Sequence, residues 1–264
     1  MQTMKKGKKR RRKGLKAVLI LIGLALLSVM ILYTPLFNIS QIQVSGSSYY
    51  SVDEIRLASG ILPGENGFKK IRLSPEAILG LRLTDAEEAI KALPFVKDAQ
   101  VKLIFPNSVN ITITERQPAV YLVYLGNYLI ADADGFVLEV SQNPPQENLK
   151  EVRGVEFTKY TTGKQLETDD LDYIRIASNI TEAVKKSDSE SEFLMLPMVN
   201  WIDVVDANTT LMSLDNRVIM RFDPADKLQY TIDFGKQIFF TKINTNERGR
   251  LEFVPGQNPS FIPD

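Results

Sequence analysis

Apolar residues run without interruption in only one long stretch of this chain. AVLILIGLALLSVMILY, Ala17 to Tyr33, holds 17 uncharged residues and extends through Thr34 and Pro35 to Phe37, enough for a helix to cross a hydrocarbon core of roughly 30 Å. Beyond it the pattern becomes periodic. ISQIQVSG (39–46) reads as a strand closed by a glycine turn. In SVDEIRLASG, Ser51 and Glu54 have capping-box spacing, Val52, Ile55 and Ala58 form the apolar face, and Gly60 ends the helix. A second such box, Thr84 with Glu87, opens a helix carrying Ala86, Ala89, Ile90 and Leu93 inward, which Pro94 stops. Strict alternation then predicts two strands, with Ala99, Val101, Leu103 and Phe105 on one face and, past a PNS turn, Val109, Ile111 and Ile113. The order to this point is β-α-α-β-β.

From Ala119 short strands with hairpin signals follow: AVYLVYL, a Gly126-Asn127 turn, YLIAD, a DADG turn and FVLEV. A helix starting after Thr168 and running to about Lys186 turns Leu171, Ile174 and Val184 inward and empties into the polar SDSESE loop. VNWIDVVD, TTLMSL and, after an Asp215-Asn216 turn, RVIMRF read as strands. Asp223 before Pro224 predicts a helix start, with Leu228, Ile232 and Ile238 along the helix, and Gly249 to Val254 as a last strand. The expected organisation is α+β: a basic tail 1–16, a transmembrane helix 17–37, a first unit 38–116, a β-rich domain with flanking helices 117–254 and a tail 255–264.

Charge orients the apolar run. Of 32 Lys and Arg, nine lie between Lys5 and Lys16, leaving 23 against 32 acidic residues in the rest of the chain. Basic residues abutting a span stay in the cytoplasm, so the bulk from about residue 38 is expected outside. The alternative, a cleaved signal, has a shorter apolar run of roughly 7 to 15 residues and a small-residue cleavage site that ILYTPLFNIS lacks. A nucleic-acid role for the basic cluster is weaker, because such a patch beside a membrane already meets anionic lipid.

The chain has no Cys and no His. Disulfides, thiolate and imidazole metal sites, cysteine nucleophiles and His-based triads are therefore excluded. The acid pairs Glu87-Glu88 and Asp169-Asp170 fall at predicted helix starts, where they complement the helix dipole. Asp132, Asp134, Gly135 and Glu139 invite a calcium reading, but ligand number and spacing favour a hairpin turn. Asn110, Asn179 and Asn208 open chance-prone glycosylation sequons. Trp201, the single Trp, is expected in the core of the second domain.

FNISQIQVSG, VDEI, Gly60 with ENGF, LPFVKDAQVKLIFPNSVNITITERQPAVYL and LIADADGFVL occur in that order. The set resembles the FtsQ/DivIB family of bacterial cell-division proteins, with ERQPA as its sharpest piece. The resemblance implies that 38–116 is a POTRA domain and that the protein is a non-enzymatic divisome scaffold at the septum. It implies recruitment of FtsB/DivIC-type and FtsL-type single-pass coiled-coil proteins, coupling to septal peptidoglycan synthesis, and no cofactor, catalytic residue or metal. A membrane-anchored peptidoglycan-binding or wall-processing protein is the competing class; a secretion-related POTRA protein is a further one. Segment 68–83 exceeds what the compact module needs, so an extra loop or helical turn is expected there.

RGRLEFVPGQNPSFIPD keeps apolar residues where a chain end would normally shed them. In the resembled family this end receives a strand from the FtsB/DivIC-type partner, which makes Arg248, Arg250, Leu251, Phe253 and Phe261 the candidate partner-binding residues. The competing expectation is that Leu251 and Phe253 close the domain core, with Phe261 less buried.

Overall fold

The computed structural model describes residues 6–189 and 191–264; Lys5 of the basic cluster and Glu190 of the polar loop lie outside them. Helix α1 spans Lys6–Leu32. Within it Leu15–Leu32 has a mean hydropathy of 2.7 and no buried residue, the profile of a membrane-spanning helix. It ends at Leu32, short of the expected Phe37. Pro35 disfavours the helical conformation of the residue before it, so Thr34 is extended (ψ 161°) and a 3-10 turn, Pro35–Phe37, follows.

Two compact units meet between Glu115 and Arg116. In the first, β1 (Gln41–Ser45), α2 (Val52–Ser59), α3 (Pro75–Gly80), α4 (Thr84–Lys91), β2 (Val96–Ile104) and β3 (Ser108–Glu115) follow α1. The sheet order is β1-β3-β2, with β1 parallel and β2 antiparallel to β3. Ile42, Ile55, Ile90, Val101 and Ile111 are among its buried core residues. The Ser51–Glu54 capping box forms, and Gly60 ends α2 at φ 64°. Val52 at the helix start is 46% exposed, leaving Ile55 and Ser59 as the inward residues.

The second box does not form. Leu83 precedes α4 without a side-chain cap, and the Thr84 hydroxyl is buried without a partner. Glu87 faces inward instead of Ala89 and is 3% exposed. Its carboxylate accepts both Arg82 guanidinium bonds (2.9 and 2.7 Å) and the Val101 amide (2.9 Å), clasping α4 to β2. Dipole complementarity is therefore not what holds Glu87; a buried charge is retained only where it is paired and hydrogen-bonded. Segment 68–83 holds α3, capped by Ser74 with Pro75 at its first position. Phe105 lies past the end of β2 and is 56% exposed, so the alternation breaks one residue early.

The second unit is a nine-stranded sheet with two helices: β4 (Val120–Tyr124), β5 (Asn127–Ala131), β6 (Val137–Ser141), β7 (Lys150–Arg153), α5 (Leu171–Ser189), β8 (Val199–Asp206), β9 (Thr209–Leu214), β10 (Val218–Phe222), α6 (Leu228–Thr241), β11 (Gly249–Glu252) and β12 (Ser260–Pro263). The order is β12-β11-β10-β9-β8-β7-β4-β5-β6, with parallel pairs at β4–β7, β7–β8 and β10–β11. One face buries the core under α5 and α6, including Ile174, Ile180, Ile202, Met220 and Ile232. The two helices are tied by the Lys236 ammonium, which donates to the Ser187 carbonyl (3.0 Å) and pairs with Asp188 (2.8 Å). Asp223-Pro224 opens a turn, with the Asp223 carboxylate accepting the Ala225 amide, and α6 starts only at Leu228. Trp201 is outside the core. It is half-buried, with the Arg153 guanidinium 4.6 Å from its ring centre.

The ERQPA segment explains itself at this junction. The Glu115 carboxylate accepts from the Ser47 hydroxyl, the Ser48 amide and hydroxyl and the Tyr49 amide, at 2.6 to 2.8 Å, holding the β1–α2 loop against the end of β3. Arg116 turns to the other unit. Its guanidinium donates to Asp132 at 2.7 Å, both side chains being at most 10% exposed, and lies 3.4 Å from the Phe136 ring centre. The second Asp132 oxygen accepts the Asp134 and Phe136 amides, so the DADG segment is a hairpin turn whose carboxylate is taken up internally. Gly135 sits at φ 79°, where a side chain would also meet Leu171 at 2.7 Å.

Burial pushes the Glu115 carboxyl up, but its hydrogen bonds outweigh this and leave it below the ordinary carboxylate range. A lowered native value contributes stability above about pH 4.3 that is lost as pH falls through the folded value. Thermal unfolding of the first unit should therefore show an acid-induced loss below that range, and Glu115→Gln should flatten it while lowering stability by about 2 kcal/mol at neutral pH. In the second unit, Asp132→Ala leaves a buried guanidinium unpaired and should cost about 3–5 kcal/mol, measured by denaturant unfolding.

Candidate partner-binding edge

Strands β10 and β11 run parallel because α6 carries the chain back across the sheet face before β11 begins. The close approach is set by Gly235, where a side chain would meet Met220 Cε at 2.6 Å. β11 then turns through Pro255–Pro259 and β12 returns antiparallel, pairing Gly249 with Pro263, Arg250 with Ile262, Leu251 with Phe261 and Glu252 with Ser260. Residues 260–263, expected as part of a tail, are thus a strand. The open edge of this side of the sheet is β12, while β11 is an interior strand.

The direction of the free main-chain groups follows from the register. The Asp264 amide donates to the Arg248 carbonyl (3.1 Å). In an antiparallel ladder hydrogen-bonded pairs alternate, so Ile262 exchanges bonds with Arg250, and the Phe261 amide and carbonyl and the Pro263 carbonyl point away from β11. Pro263 sits where a strand tolerates proline, on an edge. Gly249 makes this closure possible: at φ 152°, a side chain there would meet the Ile262 carbonyl at 2.2 Å.

The five predicted residues divide between core and surface. Leu251 is fully buried and its side chain belongs to the core. Phe253 is half-buried, packs edge-on to Phe234 at 6.5 Å, and its amide donates to the Arg221 carbonyl (2.9 Å). Phe261, directly across from Leu251, also packs against the core. Arg248 and Arg250 are exposed, the latter 3.8 Å from Glu252. The sequence reasoning missed Ile262, 42% exposed and opposite Arg250, and Val254, 43% exposed. The turn-forming run Pro255–Pro259 followed by the apolar pair Phe261 and Ile262 is the one signal that points to the strand. Beside the edge, a groove of about 320 Å³ runs between Asp226, Lys227 and Tyr230 and the Val254–Pro259 turn.

Comparison with known proteins places this architecture. The POTRA domain, FtsQ-type, matches residues 37–116. The cell division protein DivIB of Clostridium botulinum (strain Hall) is 25% identical over 199 residues, 74% of this chain and 73% of that protein. The DivIB of Clostridium acetobutylicum is 30% identical over 146 residues, 55% of this chain and 54% of that protein, and the FtsQ of Corynebacterium glutamicum is 27% identical over 134, or 49% and 55%. An apolar N-terminal helix, an FtsQ-type POTRA domain and a larger β-rich unit define the class. Within it, the chain is a homologue of the FtsQ/DivIB cell-division proteins over much of its length.

Because any side chain at 249 collides with the β12 backbone, Gly249→Ala should detach β12 and leave the rest of the sheet folded. Hydrogen exchange read on the Ile262 amide should rise sharply, with protection of Met220 in β10 retained.

Proposed function

We propose that this chain is a non-enzymatic scaffold of the cell-division machinery, held in the plasma membrane by α1 with residues 1–16 cytoplasmic and the two folded units outside. It acts at the septum, bringing single-pass coiled-coil proteins of the FtsB/DivIC and FtsL types together and so linking division to septal peptidoglycan synthesis. The domain limits 38–116 and 117–254 are the proposed working units, the first docking recruiting factors close to the membrane. The observation that carries the reading is the free β12 edge, in a homologue of division proteins. An unpaired edge is a template for an incoming strand: main-chain hydrogen bonds supply affinity and alternate side chains supply specificity.

The proposed contact set starts from Arg248, Arg250, Phe253 and Phe261, with Leu251 acting only through the core beneath. Ile262 supplies an exposed apolar anchor, and the two arginines suit an acidic partner segment. Phe261 serves both edge and core, so its truncation would also lower thermal stability.

Ile262→Glu puts a charge on the proposed contact face without touching the core. Co-purification with the FtsB/DivIC-type protein of the same cell should weaken by about thirtyfold, a loss of about 2 kcal/mol, at unchanged melting temperature. Undiminished binding by Ile262→Glu and by a chain ending at Gly249 would remove the edge from the proposal. For orientation, a reporter active only outside the cytoplasm and fused after Asp264 should be active.

A further inference from the structure

We infer that the membrane-proximal end of the POTRA domain is itself a lipid-binding surface, seated in the headgroup layer of a phospholipid bilayer. The inference rests on the reading of α1 as a membrane span. Leu15–Leu32 is 18 residues, or about 27 Å of helix, slightly less than the ~30 Å hydrocarbon core. Tyr33–Phe37 must then lie in the interfacial layer, which adds about 5–7 Å on each side. Asn66 ties the folded domain to that level, its side-chain amide donating to the Leu32 and Thr34 carbonyls, both at 3.1 Å.

Three aromatic rings gather at this level. Phe37 lies edge-on to Phe68 at 5.4 Å and to Phe105 at 6.0 Å, and Phe68 is 5.6 Å from Phe105. Rings this close to Phe37 share its depth to within the thickness of the interfacial layer. Gly67 brings Phe68 in, since a side chain there would meet Leu103 at 2.5 Å. The apolar surface around the cluster remains open: Leu36 is 63%, Phe105 56%, Tyr33 51% and Ile104 50% exposed. Lys69 and Lys70 follow Phe68 on the same turn; Lys70 pairs with Glu65 at 2.9 Å, and Lys69 is exposed. Aromatic rings with flanking lysines are the composition that favours a bilayer interface, and continuity with the span selects lipid as the occupant.

The chain has no cysteine, so single cysteines can be labelled with a polarity-sensitive fluorophore in the full-length protein reconstituted into phosphatidylethanolamine–phosphatidylglycerol vesicles. Leu27→Cys reports the span. Phe105→Cys and Ile104→Cys report the proposed surface. Asp53→Cys reports the opposite end of the domain, near the Ser47–Tyr49 loop that Glu115 holds. The eight residues of β3 separate these ends by roughly 25 Å. Lipids spin-labelled near the headgroup should quench Phe105→Cys and Ile104→Cys and leave Asp53→Cys bright, while lipids labelled deep in the acyl chain quench Leu27→Cys. Quenching at Leu27 with both 104 and 105 as bright as 53 would overturn the inference and leave the span intact. A bright Leu27 would overturn the span reading itself, and this inference with it.

Discussion

Two adjacent side chains, Glu115 and Arg116, carry opposite obligations. The carboxylate closes the first unit by collecting donors from Ser47, Ser48 and Tyr49, and the guanidinium closes the start of the second by meeting Asp132 and the Phe136 ring. Neither can be satisfied by solvent without loosening its own unit: the Arg116 pair is buried, and burying a charge without a partner costs several kcal/mol, on the order of 3–5 here. The boundary between the units is therefore a single peptide bond with both flanking residues committed. The family-like letters Glu-Arg-x-Pro and Asp-x-x-Gly are the two halves of this arrangement, since Asp132 opens the turn that Gly135 completes.

Much of the architecture was legible before any coordinates, because alternation and capping are local. Val109, Ile111 and Ile113 alternate inward as read, and the Ser51–Glu54 box forms. The misreadings concern residues whose role is decided by something distant in sequence. Glu87 has cap spacing, yet Arg82 and the Val101 amide draw it inward. By size Trp201 reads as a core residue, but its strand position faces the open side of the sheet, where Arg153 covers it. β12 escaped because four residues with a proline carry too short a pattern to separate from a turn. Of the candidate edge, the sequence made legible only that apolar residues are kept near residues 251–262. Which of Leu251, Phe253 and Phe261 points inward depends on register, and register is invisible until the neighbouring strand is placed.

The second unit has helices on only one face of its sheet, which makes its two faces and its edges unequal. The helix-covered face is committed to Ile202, Met220 and their neighbours. The sheet ends laterally at β12 and β6, and Val137 of β6 already exchanges main-chain bonds with Gly163 and Lys164. Of the two edges, β12 stands beside a groove and sets its apolar Ile262 opposite Arg250 of β11. In the first unit the available surface is of another kind, an aromatic rim, so the chain presents hydrogen-bonding capacity in one unit and apolar area in the other.

The position of Trp201 has an optical consequence. As the chain's single Trp, within a strand of the second unit and under a guanidinium, it makes intrinsic indole fluorescence a reporter of that unit alone. The first unit holds Tyr49 and Tyr50 against Phe95 and contributes only tyrosine emission. A melt followed at indole wavelengths is consequently blind to loss of the POTRA fold. Agreement between indole fluorescence and backbone circular dichroism would indicate that the two units unfold together, and disagreement would resolve them as separate transitions.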